Sequence, residues 1–134
     1  MTTLFFLMTR RQDVSRERFV EMLTDEFVPL YVQSKEVFGF ERVRVALQPN
    51  DVCAVAQSAT QKCAAGPFDA VFMLEYADRE RYIHAMGTPA ALKRLDEMAA
   101  VKRRFLDLSR CTLMVTEEIP LPDQSKAQLR TEAS

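Results

Sequence analysis

The sequence predicts an α+β sandwich, in which a four-stranded antiparallel sheet carries its helices on one face. Four stretches have the length and pattern of β-strands: residues 4–8, 70–74 and 111–115 are largely apolar, and residues 40–47 alternate. Helical patterns of apolar residues separate the first strand from the second and the third strand from the fourth. Two strand–helix–strand units in one chain form the ferredoxin-like arrangement, which is therefore the predicted fold.

Apolar patterning and capping residues predict the first strand and the first helix. Residues 4–8 are too few for a buried helix and are all apolar, which predicts a strand covered on both faces. Ser15 suits the N-cap of the following helix, and Glu17 places a negative charge in its first turn. The apolar face of this helix consists of Phe19, Val20, Leu23, Phe27, Leu30 and Tyr31. We expect Pro29 to kink or tighten the last turn, because proline has no N–H to donate.

The second strand alternates in character, and the segment after it has no pattern. One face of the strand carries Val43, Val45 and Leu47, and the other carries Phe40, Arg42, Arg44 and Ala46. Residues 48–66 contain neither aromatic side chains nor periodicity, which predicts a long loop. In a compact domain, a loop of this length is typically a lid, an arm or a disordered insert.

The second half of the chain repeats the order with two helices between its strands. Asp78 suits the N-cap of a helix that continues to Met86, and Thr88 and Pro89 have the residue types that start another helix. The apolar stripe of this later helix consists of Leu92, Leu95, Met98, Ala99, Lys102 and Leu106. Lys102 is its only polar member.

Length and composition predict one domain with a short tail. A chain of 134 residues suffices for one hydrophobic core, and we assign residues 1–119 to a single domain. Pro120, Pro122 and the polar residues after them end the regular structure. Residues 120–134 are accordingly predicted to form a disordered C-terminal tail.

Charge and cysteine content narrow the classes of partner and compartment. The net charge is −1 and no basic stripe is interleaved with aromatic residues, so we expect no nucleic-acid partner. No signal-peptide pattern and no apolar run of membrane-spanning length is visible, so we expect no membrane association. Cys53, Cys63 and Cys111 are odd in number and lack metal-ligand spacing, which favours reduced thiols in the cytoplasm. Cys111 suits a small core residue, whereas a reactive thiol at Cys53 or Cys63 stays open.

The strands at residues 4–8 and 70–74 are apolar on both faces, although one layer of helices covers only one face. The remaining face is an exposed apolar surface, and such surfaces mark sites of association. The sequence therefore predicts a homodimer in which the two sheets face each other.

Several segments, in this order, resemble those of a known family. They lie at residues 5–11, 25–30, 39–40, 68–71, 74–76, 104–107, 109–110 and 117–118, together with the capped helix from Ser15. Over residues 4–118 the chain resembles the EthD family of the dimeric α+β barrel superfamily. The resemblance implies the same sheet-to-sheet dimer. It also implies cofactor-free decarboxylase, dehydratase or cyclase activity on aromatic or poly-β-keto compounds, and the wider superfamily includes cofactor-free monooxygenases and haem-using enzymes.

The chain departs from the family at the positions where catalytic histidines are expected. The first helix of the family commonly carries a histidine where this chain has Phe27, and a phenyl ring cannot transfer protons. Plant-type polyketide cyclases carry a histidine where this chain has Ala90 and Ala91. The sequence therefore identifies no catalytic residue.

The candidate pocket residues are Phe27, Tyr31, Tyr76, Tyr82, Arg42 and Glu75. The tyrosines end apolar runs or lie on a helix, where they suit either the edge of the core or a cavity wall with a proton-relay role. Arg42, which shares a strand face with Arg44, either binds a carboxylate or is an exposed residue at the rim of the dimer. Glu75 is either a base with a raised pKa or the partner of an arginine. The single histidine, His84, points away from the apolar face of its helix, so we expect neither a metal site nor another cofactor.

Two functions remain open from the sequence. The first is a cofactor-independent enzyme of the cyclase, dehydratase, decarboxylase or monooxygenase type that acts on a small aromatic or polyketide-like substrate. The alternative is a non-catalytic dimer that binds a small hydrophobic ligand or a partner protein. Phe27 favours the alternative, whereas a lid formed by residues 48–66 would favour the enzyme.

Overall fold

The computed structural model describes residues 1–49 and 67–122 of the chain. Its strands are β1 (Thr2–Met8), β2 (Arg42–Leu47), β3 (Ala70–Tyr76) and β4 (Thr112–Glu117). They form one antiparallel sheet in the order β2-β3-β1-β4, with β1 and β3 at its centre. The two strand–helix–strand units thus interleave in the ferredoxin-like manner, and the predicted fold class is confirmed.

The helices connect β1 to β2 and β3 to β4. The first connection contains α1 (Arg16–Met22), a π-helical turn (Leu23–Phe27), α2 (Val28–Gln33) and α3 (Lys35–Phe38). The second contains α4 (Arg79–Met86), α5 (Pro89–Phe105) and a 3₁₀ turn (Leu108–Arg110). Both connections pack on the same face of the sheet, since Phe27 contacts Phe72 of β3 and Tyr82 contacts Tyr76 of β3.

The three predicted N-caps are confirmed by hydrogen bonds in which a side chain accepts from the first turn of its helix. The hydroxyl of Ser15 accepts from the Arg18 N–H at 3.1 Å, and the carboxylate of Asp78 accepts from the Arg81 N–H at 2.8 Å. The hydroxyl of Thr88 accepts from the Ala91 N–H at 3.1 Å. Each cap satisfies an N–H group that would otherwise have no partner within the helix.

The distortion caused by Pro29 differs from the predicted kink or tightened last turn. The helix widens before the proline instead, and the Val28 N–H donates to the carbonyl of Leu23, five residues back. A widened turn accommodates a proline because the ring clashes with a carbonyl in a regular α-helical turn. The helix then continues to Gln33, with Tyr31 on its buried side.

The strand register assigns each side chain to one of two faces of the sheet, because directly opposed residues share a face. The face covered by helices buries Leu4, Met8, Ala70, Phe72, Leu74 and Tyr76. The other side, which we call the open face, carries Arg42, Arg44, Ala46, Val71, Met73, Glu75, Thr3, Phe5, Leu7, Thr112, Met114 and Thr116. None of the described helices covers it, as the sequence predicted.

The start of the second strand differs from the prediction by two residues. β2 begins at Arg42 rather than at Phe40, because Gly39 ends α3 in the left-handed region with a φ of +72°. Phe40 is buried in the connection that follows. Val43, Val45 and Leu47 alternate toward the helix-covered face, as the period of two predicted.

Some predictions concern segments outside the described residues. They are the lid, arm or insert at residues 48–66, apart from Gln48 and Pro49, and the tail beyond residue 122. Cys53 and Cys63 belong to the first of these segments, so their reactivity stays a prediction. None of the helices in the described part of the chain is long and apolar enough to cross a membrane.

Candidate ligand pocket

A cavity of about 320 Å³ lies between the helix-covered face of the sheet and helices α2, α4 and α5. Its walls are formed by Leu4, Phe6, Tyr31, Phe72, Leu74, Tyr82, Met86, Leu95, Lys102 and Leu113. The three polar side chains of this lining, Tyr31, Tyr82 and Lys102, come from helices, and the strands contribute only apolar side chains. We call this space the helix–sheet cavity.

Phe27 lies beneath the floor of the helix–sheet cavity and does not line it. The ring is fully buried, with its centroid 5.0 Å from that of Phe72, 5.1 Å from Tyr31 and 6.5 Å from Phe6. The π-helical turn presents Phe27 to this aromatic cluster. Position 27 of this chain therefore holds a core ring that supports three side chains of the cavity wall.

Tyr31 and Tyr82 line the cavity, and Tyr76 lies next to Tyr82 with ring centroids 5.2 Å apart. Burial raises the pKa of the Tyr31 phenol above its ordinary value, and burial is also the main cause of the raised pKa of Tyr76. The hydroxyl of Tyr76 has no hydrogen-bond partner among the described residues. The Tyr31 and Tyr76 phenols consequently stay protonated near neutral pH and act as hydrogen-bond donors.

Lys102 is the only ionisable residue other than tyrosine in the described part of the cavity wall, and it was not among the predicted pocket residues. Its Nζ lies 5.7 Å from the centroid of Phe6 and 6.0 Å from that of Tyr31. These are cation–π distances. Burial lowers the pKa of the ammonium group, because desolvation disfavours the charged form. In the sequence, Lys102 could have been identified as a pocket residue from its position as the one polar residue in the apolar stripe of α5.

Arg42 and Glu75 lie on the open face, on the other side of the sheet from the helix–sheet cavity. Glu75 Oε2 lies 3.8 Å from Arg42 Nε, and Glu75 Oε1 lies 3.4 Å from Arg44 Nη1. The Glu75 side chain is only 12 % exposed, so two arginines compensate a largely covered carboxylate. These ion pairs favour the predicted role of Glu75 as the partner of an arginine, which stays a prediction.

Two further side chains with potential chemistry are a histidine and a thiol. His84 lies exposed on α4, as its position on the helix predicted, and no cluster of metal-ligating side chains occurs among residues 1–49 and 67–122. Cys111 is half-buried against the core, and its Sγ accepts from the Thr9 N–H at 3.4 Å. Burial is the main cause of the raised pKa of this thiol, which suits a structural residue.

The fold and the cavity together define a class: an α+β ferredoxin-like domain with an apolar pocket between its sheet and its helices. No family model matches the sequence, and no curated protein matches it. Solved structures do match. An EthD-family protein from Bacillus halodurans superposes with a TM-score of 0.58 at 19% identity, over 89% of this chain and 99% of that one. The resemblance to the EthD fold is thereby confirmed.

Two further structures share the fold at low identity. A dimeric ferredoxin-like protein of unknown function from Bacteroides fragilis has a TM-score of 0.54 at 10% identity, over 87% of this chain and 95% of that one. A cofactor-independent oxygenase, SnoaB from Streptomyces nogalater, has a TM-score of 0.52 at 14% identity, over 91% and 97% of the two chains. The same fold thus occurs in a dimeric protein and in a cofactor-independent oxygenase.

Proposed function

We propose that the chain binds a small aromatic or polyketide-like molecule in the helix–sheet cavity and converts it without a cofactor. The observation that supports this most directly is a cavity of about 320 Å³ whose apolar walls carry one ammonium group and two phenols. Binding sites for small molecules typically combine apolar walls with a few polar groups that orient the ligand. The oxygenase from Streptomyces nogalater, which has the same fold, is described as cofactor-independent.

The polar groups of the cavity suit reactions in which negative charge develops on a substrate oxygen. Decarboxylation, dehydration and ring closure of poly-β-keto compounds share this feature. In such a reaction the Lys102 ammonium stabilises the developing charge, and the phenols of Tyr31 and Tyr82 donate hydrogen bonds to it. The apolar walls exclude water, which strengthens these interactions.

A second function, non-catalytic binding of a small hydrophobic ligand or a partner protein, is favoured by one observation. The described lining of the cavity contains neither an imidazole nor a carboxylate, and Phe27 occupies the position of the family histidine. Native mass spectrometry of the purified protein identifies any retained molecule. Incubation of that molecule with fresh protein separates the two functions, because an enzyme changes its mass and a binder returns it unchanged.

The test of the cavity is a pair of leucine substitutions on one helix. Leu95 lines the cavity, whereas Leu92 lies on the same helix and is 57% exposed. Leu95→Phe fills part of the cavity, so we expect an affinity for 1-naphthalenemethanol at least about tenfold lower than that of the wild type, measured by fluorescence titration. Leu92→Phe is the matched control and should leave the affinity unchanged. Equal affinities in the wild type and the two variants would show that the ligand does not bind in the helix–sheet cavity.

The proposal also includes a homodimer through the open face. Its support is the apolar centre of that face, formed by Phe5, Leu7, Val71, Met73 and Met114, and the dimeric state of the Bacteroides fragilis protein. A cytoplasmic location is likewise proposed, on the composition of the sequence. The expectation that nucleic acid is not a partner stays a prediction.

A further inference from the structure

The ammonium group of Lys102 has no carboxylate partner among the described residues. Nine ion pairs occur within the described part of the chain, residues 1–49 and 67–122. Each has an arginine as its cation, and none involves Lys102. Its Nζ instead lies over the rings of Phe6 and Tyr31, which are both cavity walls. The described wall of the helix–sheet cavity thus contains one positive charge without an ion-pair partner, and apolar side chains surround it.

An uncompensated charge in an apolar cavity has a physical consequence for the ligand. Desolvation of the ammonium group costs free energy, which two cation–π contacts offset only in part. An anionic group on the ligand recovers that cost, because an ion pair is stronger where water is excluded. A neutral ligand of the same shape leaves the charge unpaired.

The composition of the wall also limits the charge of the anion. Among the described residues, the lining contains no arginine, which is the residue that binds phosphate bidentately, and only one cation. A phosphate or another dianion would keep a charge without a partner inside the cavity. The rings and leucines that make up the rest of the wall suit the flat apolar body of an aromatic molecule.

We propose that the ligand of the helix–sheet cavity is a small aromatic monocarboxylate, whose carboxylate pairs with Lys102 Nζ while its ring packs among Phe6, Tyr31 and Phe72. This inference rests on the proposed function, since it names the class of molecule that the same cavity takes. It makes Lys102 the residue that selects an acid over a neutral compound.

The experiment compares 1-naphthoate with 1-naphthalenemethanol, which have the same ring system and differ in charge. In titration calorimetry at pH 7 we expect the wild type to bind the carboxylate about 10- to 100-fold more tightly, as a charge-assisted hydrogen bond provides. Lys102→Met should lose this preference and bind the alcohol as the wild type does. Lys102→Arg should retain the preference, and Lys93→Met, an exposed lysine on the same helix, should change neither affinity.

The outcomes separate this inference from the proposed function. Equal binding of both probes by the wild type, or a preference that persists in Lys102→Met, would overturn the role of Lys102 and leave the pocket intact. Binding of neither probe by the wild type would overturn the pocket itself. If Lys102→Met does not fold, Lys102→Gln removes the charge while keeping a polar side chain. The comparison of the two probes on the wild type still shows whether the cavity prefers the carboxylate.

Discussion

At the scale of the residue, Lys102 and Phe27 show how much of a site depends on neighbours that are distant in sequence. The position of Lys102 in an apolar stripe was visible in the sequence, but its pairing with the rings of Phe6 and Tyr31 required the tertiary structure. Phe27 was expected in the pocket, because the resemblance to the EthD family implies a histidine at that position. The structure buries it one layer deeper, where four other aromatic rings surround it.

The pKa of Lys102 predicts a dependence of stability on pH. Burial lowers this pKa below its ordinary value of 10.5, so the unfolded state binds the proton more tightly than the folded state does. The cost of burying the ammonium group is therefore fully present below the folded-state pKa, and stability increases as the pH rises through the folded-state pKa toward the unfolded-state one. The Cys111 thiol and the Tyr31 phenol face the Lys102 ammonium group, and burial raises the pKa values of both.

Lys102→Met should consequently stabilise the protein at pH 7 by about 0.5–1 kcal/mol, since methionine keeps the packing without the charge. Urea unfolding at pH 7 and pH 9.5 measures the free energy of unfolding of both proteins. The advantage of the variant should shrink at the higher pH, whereas the exposed Lys93→Met should show no such trend. A variant that is less stable than the wild type at pH 7 would contradict the cost assigned to the charge.

At the scale of the element, local rules predicted the starts of helices better than their irregularities. Ser15, Asp78 and Thr88 were identified as caps because an N-cap depends on residues two or three positions away. The widened turn before Pro29 was missed, because a proline permits several distortions and packing selects among them. Alternation placed Arg42 and Arg44 together on one strand face, but only the sheet and helices show that this face is the open one.

Substitutions at Gly39 test how the end of α3 packs against α4. It ends α3 with a φ of +72°, and a Cβ atom added there would lie 2.8 Å from the Cβ of Ala85 on α4. Gly39→Ala therefore combines an unfavourable backbone conformation with a steric clash, and we expect a loss of about 2–4 kcal/mol in the free energy of unfolding.

Gly87→Ala is the matched control, because Gly87 has a φ of −86° that any residue adopts. Its loss, measured in the same urea titrations, should be smaller by at least about 1 kcal/mol. A third variant, Gly39→Asn, separates the two causes, since asparagine tolerates the left-handed region but still carries a Cβ. Similar stability of the Gly39 and Gly87 variants would show that α3 and α4 yield to the added methyl group.

At the scale of the whole molecule, the sheet has one face that its own helices leave uncovered. The sequence predicted this from strands that are apolar on both faces, and the register now shows which residues form the surface. Its centre is apolar, and Glu75 with its two arginines lies toward one end. A second copy of the chain that presents the same face would bury the apolar centre of both.

Phe5→Glu tests this arrangement, because Phe5 lies on a central strand in the middle of the open face. A carboxylate there would lie against the partner's apolar surface without a compensating charge, so we expect dissociation to monomers, with an apparent Kd raised at least about 100-fold. Light scattering during size-exclusion chromatography measures the molar mass, which for the wild type should be twice that of one chain. Val32→Glu, at an exposed position on α2, is the control and should remain dimeric. A wild type that is monomeric at micromolar concentration, or a dimer that survives Phe5→Glu, would show that the open face has another role.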